Sequence, residues 1–289
     1  IYTMKIAIQG IQHSFHHQAV EELFEQQSYD LLCCDSFDAT TQAVAKGLAE
    51  FGVLAIENSI AGSILTNYNL LESGPFEIYD EVYLNIQMHL MALPKTRIQD
   101  ITEVRSHPVA LLQCRDYLRQ YQGQFRLVEG KDTASEAEQI SKQQLQGIAA
   151  IAGKDVAEAF GLEILDSQIQ DIKQNQTRFV LFGRPGSHSQ KIPNKASLKF
   201  QLGHEVGSLS RALAVLSDYD INLTKIQSLP VLGMNWRYAF FVDVTFDNPE
   251  KFKQAIGVLQ EGVKQFKLLG LYAQNKENIP SKLGEKIEL

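Results

Sequence analysis

Short apolar runs alternate with helix-period patterns from the start of the chain to residue 182. KIAI (5–8), LLCC (31–34) and VLAI (53–56) each suit a buried strand. Between the first two, Ala19, Val20, Leu23 and Phe24 share one helical face, and between the second and third Phe37, Val44, Leu48 and Phe51 recur at near-heptad spacing. The pattern predicts βαβαβ and a parallel sheet covered on both faces. From 78 to 90 it becomes strict alternation, with Ile78, Val82, Leu84, Ile86, Met88 and Leu90 on one side and polar or tyrosine positions between. That predicts a long half-buried strand or a crossover, carrying the chain into a second lobe.

The second lobe repeats the rhythm: EVRS, a helix opened by Pro108 and carrying Val109, Leu112 and Leu118, FRLV at 125–128, a helix with Thr133 and Glu136 at capping-box spacing, IAAIAG, a helix ending at Gly161, and RFVLFG. The segment 184–195, RPGSHSQKIPNK, has two prolines, a glycine and no apolar period, and reads as a linker. Beyond it, a strand through Leu198, Phe200 and Leu202, a helix through Leu209, Leu213 and Leu216, the strands INLTKI and YAFFVDVTF, a helix through Phe252, Ile256, Leu259 and Val263, and FKLLGLY give βαββαβ, the ferredoxin-like order. The expected domains are therefore a two-lobed α/β body at 4–183 and a small ferredoxin-like unit at 196–275.

Composition narrows the class. A hydrophobic fraction of 44% with 21% charged residues is that of a globular chain, and a net charge of -7 argues against a general nucleic-acid or anionic-membrane surface. Three cysteines without metal-ligand or redox spacing fit a reduced, cytoplasmic setting. Met4 reads as the natural start, and no signal peptide or 18-residue apolar run is seen. The seven histidines show no metal-ligand spacing, and no dinucleotide or phosphate loop occurs, so neither metal nor cofactor is expected.

Four stretches offer chemistry. In VLAIENSIAGSI, Glu57, Asn58 and Ser59 follow a buried strand, and Gly62 and Ser63 sit where a helix could begin, an arrangement that fits either an anion site or a plain helix cap with a solvated turn. IQGIQHSFHH repeats it, with Gly10 for a tight turn and Ser14 as a cap. SHPVALLQC places Ser106 and His107 at a helix start, where capping competes with a binding role. NQTRF (175–179) puts Thr177 and Arg178 at a strand start, where alternation points them to opposite faces unless the strand begins irregularly; taken alone, the tripeptide reads as a strand edge with a surface arginine.

Taken together these motifs resemble the prephenate dehydratases, through Gly10, Ser14 and Phe15, IENS with Gly62 and Ser63, SHP followed by Gln113 and Cys114, Thr133 with Ala134, AAIA, and N-x-TRF. The resemblance is to the monofunctional form with a C-terminal ACT regulatory domain, and it spans nearly the whole chain. It implies a fold similar to periplasmic binding proteins, prephenate held between the lobes, Thr177, Arg178 and Phe179 as the catalytic signature, and Asn58, Ser59, Glu57, Gly62, Ser14, His107 and Thr133 around the substrate. It also implies a homodimer or homotetramer, with L-phenylalanine as effector near Gly207, Ser208, Leu209, Asn222, Leu223, Gln227 and Ser228. Departures are His13 for a usual glycine, Ala61 for an acidic residue, and Gln227-Ser228-Leu229-Pro230 where the family usually has Glu-Ser-Arg-Pro. Two rivals remain: an arogenate dehydratase using the same residues, and a ligand-sensing protein of the same architecture without turnover.

Overall fold

The computed structural model describes residues 3–25, 27–186, 192–203, 205–231 and 237–275. The described residues fall into two compact units, one within residues 3–62 and 83–179 and the other within residues 63–82 and 180–275.

The first unit opens with β1 (Met4–Gln9), α1 (Phe15–Leu23), β2 (Tyr29–Cys34), α2 (Phe37–Ala45) and β3 (Phe51–Asn58). β1 pairs in parallel with both β2 and β3, which is the expected βαβαβ. Ile6, Ile8, Val53 and Leu54 are fully buried, as both-face coverage requires. α2 differs from expectation. It stops at Ala45, with Gly47 at a positive φ of 72°, so Leu48 is 61% exposed and Phe51 opens the next strand. The near-heptad spacing had run across a helix end.

Next come β4 (Gly62–Ser63), α3 (Leu65–Ser73), β5 (Glu77–Asn85) and β6 (His89–Ala92). Of the long strand or crossover expected at 78–90, the structure has the crossover: two strands in two different sheets, with the break carrying the chain into the second lobe. Nor is β5 half-buried: Glu81, on the side read as polar, is fully buried beside a lysine partner.

The second lobe contains β7 (Glu103–Ser106), α4 (Pro108–Gln113), α5 (Arg115–Arg119), β8 (Arg126–Glu129), α6 (Thr133–Gln143), β9 (Ile148–Ala152), α7 (Lys154–Phe160) and β10 (Glu163–Asp166), with sheet order β10-β6-β9-β7-β8. The one helix expected after Pro108 is two short ones that meet at Cys114; Leu118 is buried, but Val109 and Leu112 are exposed. β7 runs parallel to β8 and β9, so Ser106, Glu129 and Ala152 mark one common carboxyl edge. Small residues let α6 approach the sheet closely: Ala134, Ala137, Ala150 and Ala152 pack with Met91 and Ile140. Asp132, not Thr133, caps α6 by accepting from Ser135 N at 2.7 Å, and Thr133 is the first helical residue. The acceptor lies one position earlier than the capping-box spacing suggested. β11 (Gln176–Gly183) then returns beside β3.

In the second unit, β12 (Lys195–Gln201), α8 (Ser208–Asp218), β13 (Asn222–Pro230), β14 (Tyr238–Thr245), α9 (Pro249–Gly262) and β15 (Lys264–Tyr272) form an antiparallel sheet of order β13-β14-β12-β15 with its helices on one face. This is the βαββαβ arrangement expected. Ala196, Leu198 and Phe200 point into the helix-side core with Leu216, Phe252 and Leu259. The alternate residues Lys195, Ser197, Lys199 and Gln201 are buried as well, because residues 63–82 cover the other face. Lys195 Nζ donates to both Glu81 oxygens at 2.8 Å, Lys199 pairs with Glu72, Lys267 Nζ donates to Glu72 O at 2.7 Å and Gly74 O at 3.0 Å, and Tyr68 meets Phe241 edge-on at 5.2 Å. The C-terminal unit is therefore completed by a segment from much earlier in the chain. The expected linker at 184–195 falls partly on residues 187–191, outside the described residues.

Candidate functional site

The carboxyl end of β3 builds the site. Its apolar run ends at Asn58, whose Oδ1 accepts from Ile60 N at 3.0 Å and Ala61 N at 2.8 Å, a local turn that stops the strand. Two backbone donors on one atom settle which end of this amide is oxygen. Asn58 Nδ2 is therefore a donor, and it reaches Asn175 Oδ1 at 2.7 Å, Thr177 Oγ1 at 2.9 Å and Gln176 O at 3.3 Å. Ser59 is held alongside: its N donates to Gln176 O at 2.8 Å, and its Oγ accepts from Gln176 N at 2.9 Å.

The second lobe supplies Gln113, the last residue of α4. Its Nε2 donates to Asn58 Oδ1 at 3.2 Å, and its Oε1 accepts from Asn175 Nδ2 at 3.0 Å. Asn58, Gln113, Asn175 and Thr177 are all buried, so these bonds form where water does not compete. The chemical consequence falls on Thr177. Its oxygen already accepts from Asn58, so its own proton points elsewhere and is available to a ligand.

β11 is regular from Gln176, which puts Arg178 on the face opposite Thr177, with only 3% of its surface exposed. The irregular strand start that would have brought both into one cleft does not occur. Phe179 is buried and meets His16 edge-on at 5.1 Å. Burial holds the His16 imidazole down at about 4, so this ring is neutral at ordinary pH.

Other expected residues are placed differently. Gly62 lies in a short strand, and the helix begins only at Leu65 without a side-chain cap, so no helix start forms at Gly62 and Ser63. The N–H groups of Ile60 and Ala61 are spent on Asn58, which removes the anion cradle expected in that loop. Ser14 caps α1 by accepting from His17 N, and His107 caps α4 through Nδ1 from Val109 N at 3.2 Å. Burial lowers the His107 pKa, while Asp132 and Glu129 oppose it. Gly10, at φ 94°, is flanked by Ser14 and Asp132: an added Cβ would lie 3.6 Å from Ser14 Oγ and 3.9 Å from Asp132 Cγ. Ser14 and the start of α6, with Thr133, are thus neighbours. Glu57 is partly exposed at the end of β3. Asn175 and Gln113 were not singled out as site residues from the sequence. The signal was present in the asparagine of N-x-TRF and the glutamine after SHP.

The second unit holds a cavity of about 370 Å³ lined by Leu202, Gly203, Ser208, Leu209, Tyr238 and Phe240 among others, a size ordinary for a small-molecule site. Gly207, at φ 76°, introduces α8 at its edge. Of the expected effector residues, Ser208 and Leu209 line this cavity, whereas Asn222, Leu223, Gln227 and Ser228 lie along β13 and do not.

The chain is similar to several known proteins. A family model described as prephenate dehydratase matches residues 6–187. "Arogenate dehydratase/prephenate dehydratase 1, chloroplastic" of Arabidopsis thaliana is 35% identical over 285 residues, covering 93% of this chain and 72% of the relative. The structure of prephenate dehydratase in complex with L-Phe from Arthrobacter aurescens superposes with a TM-score of 0.84 at 25% identity, covering 94% of this chain and 90% of that one. GqqA, described as a novel type of quorum quenching acylase, superposes with a TM-score of 0.81 at 28% identity, covering 94% and 98%.

Proposed function

Because this chain belongs to the prephenate dehydratase family, we propose that it converts prephenate to phenylpyruvate, carbon dioxide and water, with Thr177 donating a hydrogen bond to the departing hydroxyl. The carrying observation is the Asn58 amide, whose oxygen is fixed by two backbone donors and whose nitrogen holds Thr177 Oγ1. In this reaction the bond from the ring to its carboxylate breaks and leaves as carbon dioxide. The electron pair moves through the ring, which becomes aromatic, and expels the para hydroxyl, which takes up one proton and leaves as water. Aromatisation drives the change, so the protein has to orient the dianion and stabilise the leaving oxygen. A threonine hydroxyl is too weak an acid to give up its proton outright, so Thr177 acts by positioning and hydrogen bonding, and the proton comes finally from water. By the same alternation Phe179 lies on the face of Thr177, against His16, and Arg178 on the opposite one.

Arogenate differs only in carrying an ammonium group in place of the side-chain keto oxygen, and relatives are named for either substrate. The test measures phenylpyruvate from prephenate by its alkaline ultraviolet absorbance, with phenylalanine formation from arogenate in parallel. Thr177→Ala should lower kcat about 100-fold or more with little change in KM. A raised KM with kcat intact would make Thr177 a binding residue only. Turnover of neither substrate would refute the proposal and leave a ligand sensor, or an acylase activity such as the one named for GqqA.

The proposal extends to regulation. The domains are taken as a monofunctional catalytic domain at 4–183, a linker, and an ACT domain at 196–275 that binds L-phenylalanine in the cavity beside Gly207. The protein is assigned to the cytoplasm as a homodimer or homotetramer. The cavity and the L-Phe complex of the Arthrobacter aurescens relative support this reading. A phenylalanine titration of the prephenate assay, with calorimetry on the same protein, tests it; no heat of binding and no inhibition would refute it.

A further inference from the structure

Three buried side-chain amides close a ring beside Thr177: Asn58 Nδ2 donates to Asn175 Oδ1 at 2.7 Å, Asn175 Nδ2 to Gln113 Oε1 at 3.0 Å, and Gln113 Nε2 to Asn58 Oδ1 at 3.2 Å. Each amide gives one N–H and receives one, so the ring has a single sense of circulation. Ile60 N and Ala61 N set that sense, because they demand oxygen at one end of Asn58. The side chain at 175 must accept from Asn58 and donate to Gln113 at once. A neutral amide does this and a carboxylate does not. Asn175 is fully buried, and its backbone oxygen is fixed by Ile86 N at 2.6 Å, so its side chain is held inside the protein, away from water.

We propose that Asn175 is a positioning residue for the reaction: by closing the amide ring it keeps Asn58 Nδ2 on Thr177 Oγ1 and so reserves the threonine proton for the substrate. This rests on the reading of Thr177 as the donor. The ring also joins the lobes, since Gln113 belongs to α4 and the other members lie at the ends of β3 and β11. Opening the lobes removes Gln113, releases Asn175 and loosens the hold on Thr177.

Asn175→Asp tests this with an isosteric change. As a carboxylate, residue 175 still accepts from Asn58 but opposes Gln113 Oε1 with a second oxygen. If Gln113 turns over, its oxygen faces Asn58 Oδ1 instead. As a neutral acid, its O–H donates to Gln113 and restores the ring. Burial raises the pKa of this carboxyl, as do the acids Glu57 and Asp171 on the neighbouring segments, while Lys173 and Arg178 act against them; the thiol of Cys114, pushed up to about 12 by burial, stays neutral. Relative to wild type, kcat should be down about 100-fold at pH 8 and should recover about tenfold for each pH unit lowered towards that pKa, with KM unchanged. The melting temperature gap to wild type should narrow over the same range, because the raised pKa confines the penalty to the ionised form. Thr177→Ala in the same chain should abolish the acid recovery.

Asn175→Ala, which buries no charge, should lower kcat about tenfold or more with a pH profile parallel to wild type. Wild-type kcat in either variant, a KM effect alone, or a narrowing melting gap without recovery of kcat would overturn the assignment. The wild-type assay separates the two readings: inactivity there refutes the dehydratase proposal, whereas active wild type with indifferent Asn175 variants refutes only the positioning role.

Discussion

Replacing Lys195 by methionine removes a cation from a buried carboxylate. Lys195 and Glu81 have side chains 3% and 0% exposed, and both carboxylate oxygens accept from Nζ at 2.8 Å. The pair itself contributes little net stability, because removing both ions from water costs about as much as their attraction returns. Breaking it is different: Glu81 keeps its desolvation and loses the Lys195 ammonium, an effect of about 3–5 kcal/mol. At about 2–4 °C per kcal/mol for a chain of this size, the melting temperature should fall by roughly 10 °C. Lys195→Met with Glu81→Leu should restore most of it, leaving the double variant within about 2 kcal/mol of wild type. The assay is thermal unfolding by circular dichroism and calorimetry on all four members of the cycle. A single variant that melts within a degree of wild type, or a double variant no more stable than the worse single, would refute the reasoning.

Two further outcomes follow from packing and burial. Gly270→Ala places a Cβ 2.4 Å from Ile78 O and 2.6 Å from Ile78 Cβ, where β15 meets β5 in parallel, so neither backbone can yield. It should cost about 3 kcal/mol or more, read as a loss of melting temperature or of soluble protein, and wild-type stability would refute the close approach. His16 is held near 4 by burial, against 6.5 when unfolded, so the unfolded chain takes up the proton first as pH falls. Stability complete above about pH 6.5 should decline towards pH 4 by at most about 3 kcal/mol from this residue. His16→Gln should lose less over that window in denaturant melts, and an identical loss would count against it.

Local periodicity carried much of the architecture. The apolar runs around Ile6, Leu32 and Leu54 became strands, and the alternation of Leu198 and Phe200 with the helix of Leu213 and Leu216 gave the βαββαβ unit. These signals were legible because each compares residues within a turn or two of one another. What escaped was polar burial. Glu81 and Lys195 look like surface residues because their partners are 114 positions apart, and the bonds from Asn58 to Asn175 and Thr177 span 117 and 119. A sequence shows an asparagine; it does not show that three amides will meet. The TRF signature was conspicuous, yet strand alternation separated Thr177 from Arg178, and the threonine's useful neighbours came from other elements.

The insertion of residues 63–82 into the C-terminal unit sets an order of events during synthesis. When Glu72 and Glu81 leave the ribosome, Lys199 and Lys195 have not yet been made. At about 5–20 residues per second, the 114 positions from Glu81 to Lys195 take roughly 6–20 seconds to translate. For that interval α3 and the early half of β5 have no sheet to lie against. The N-terminal part of the chain therefore cannot reach its final state as an autonomous block. Completion waits for the last strands, and a nascent chain stalled before β12 exposes the surface that those strands would cover.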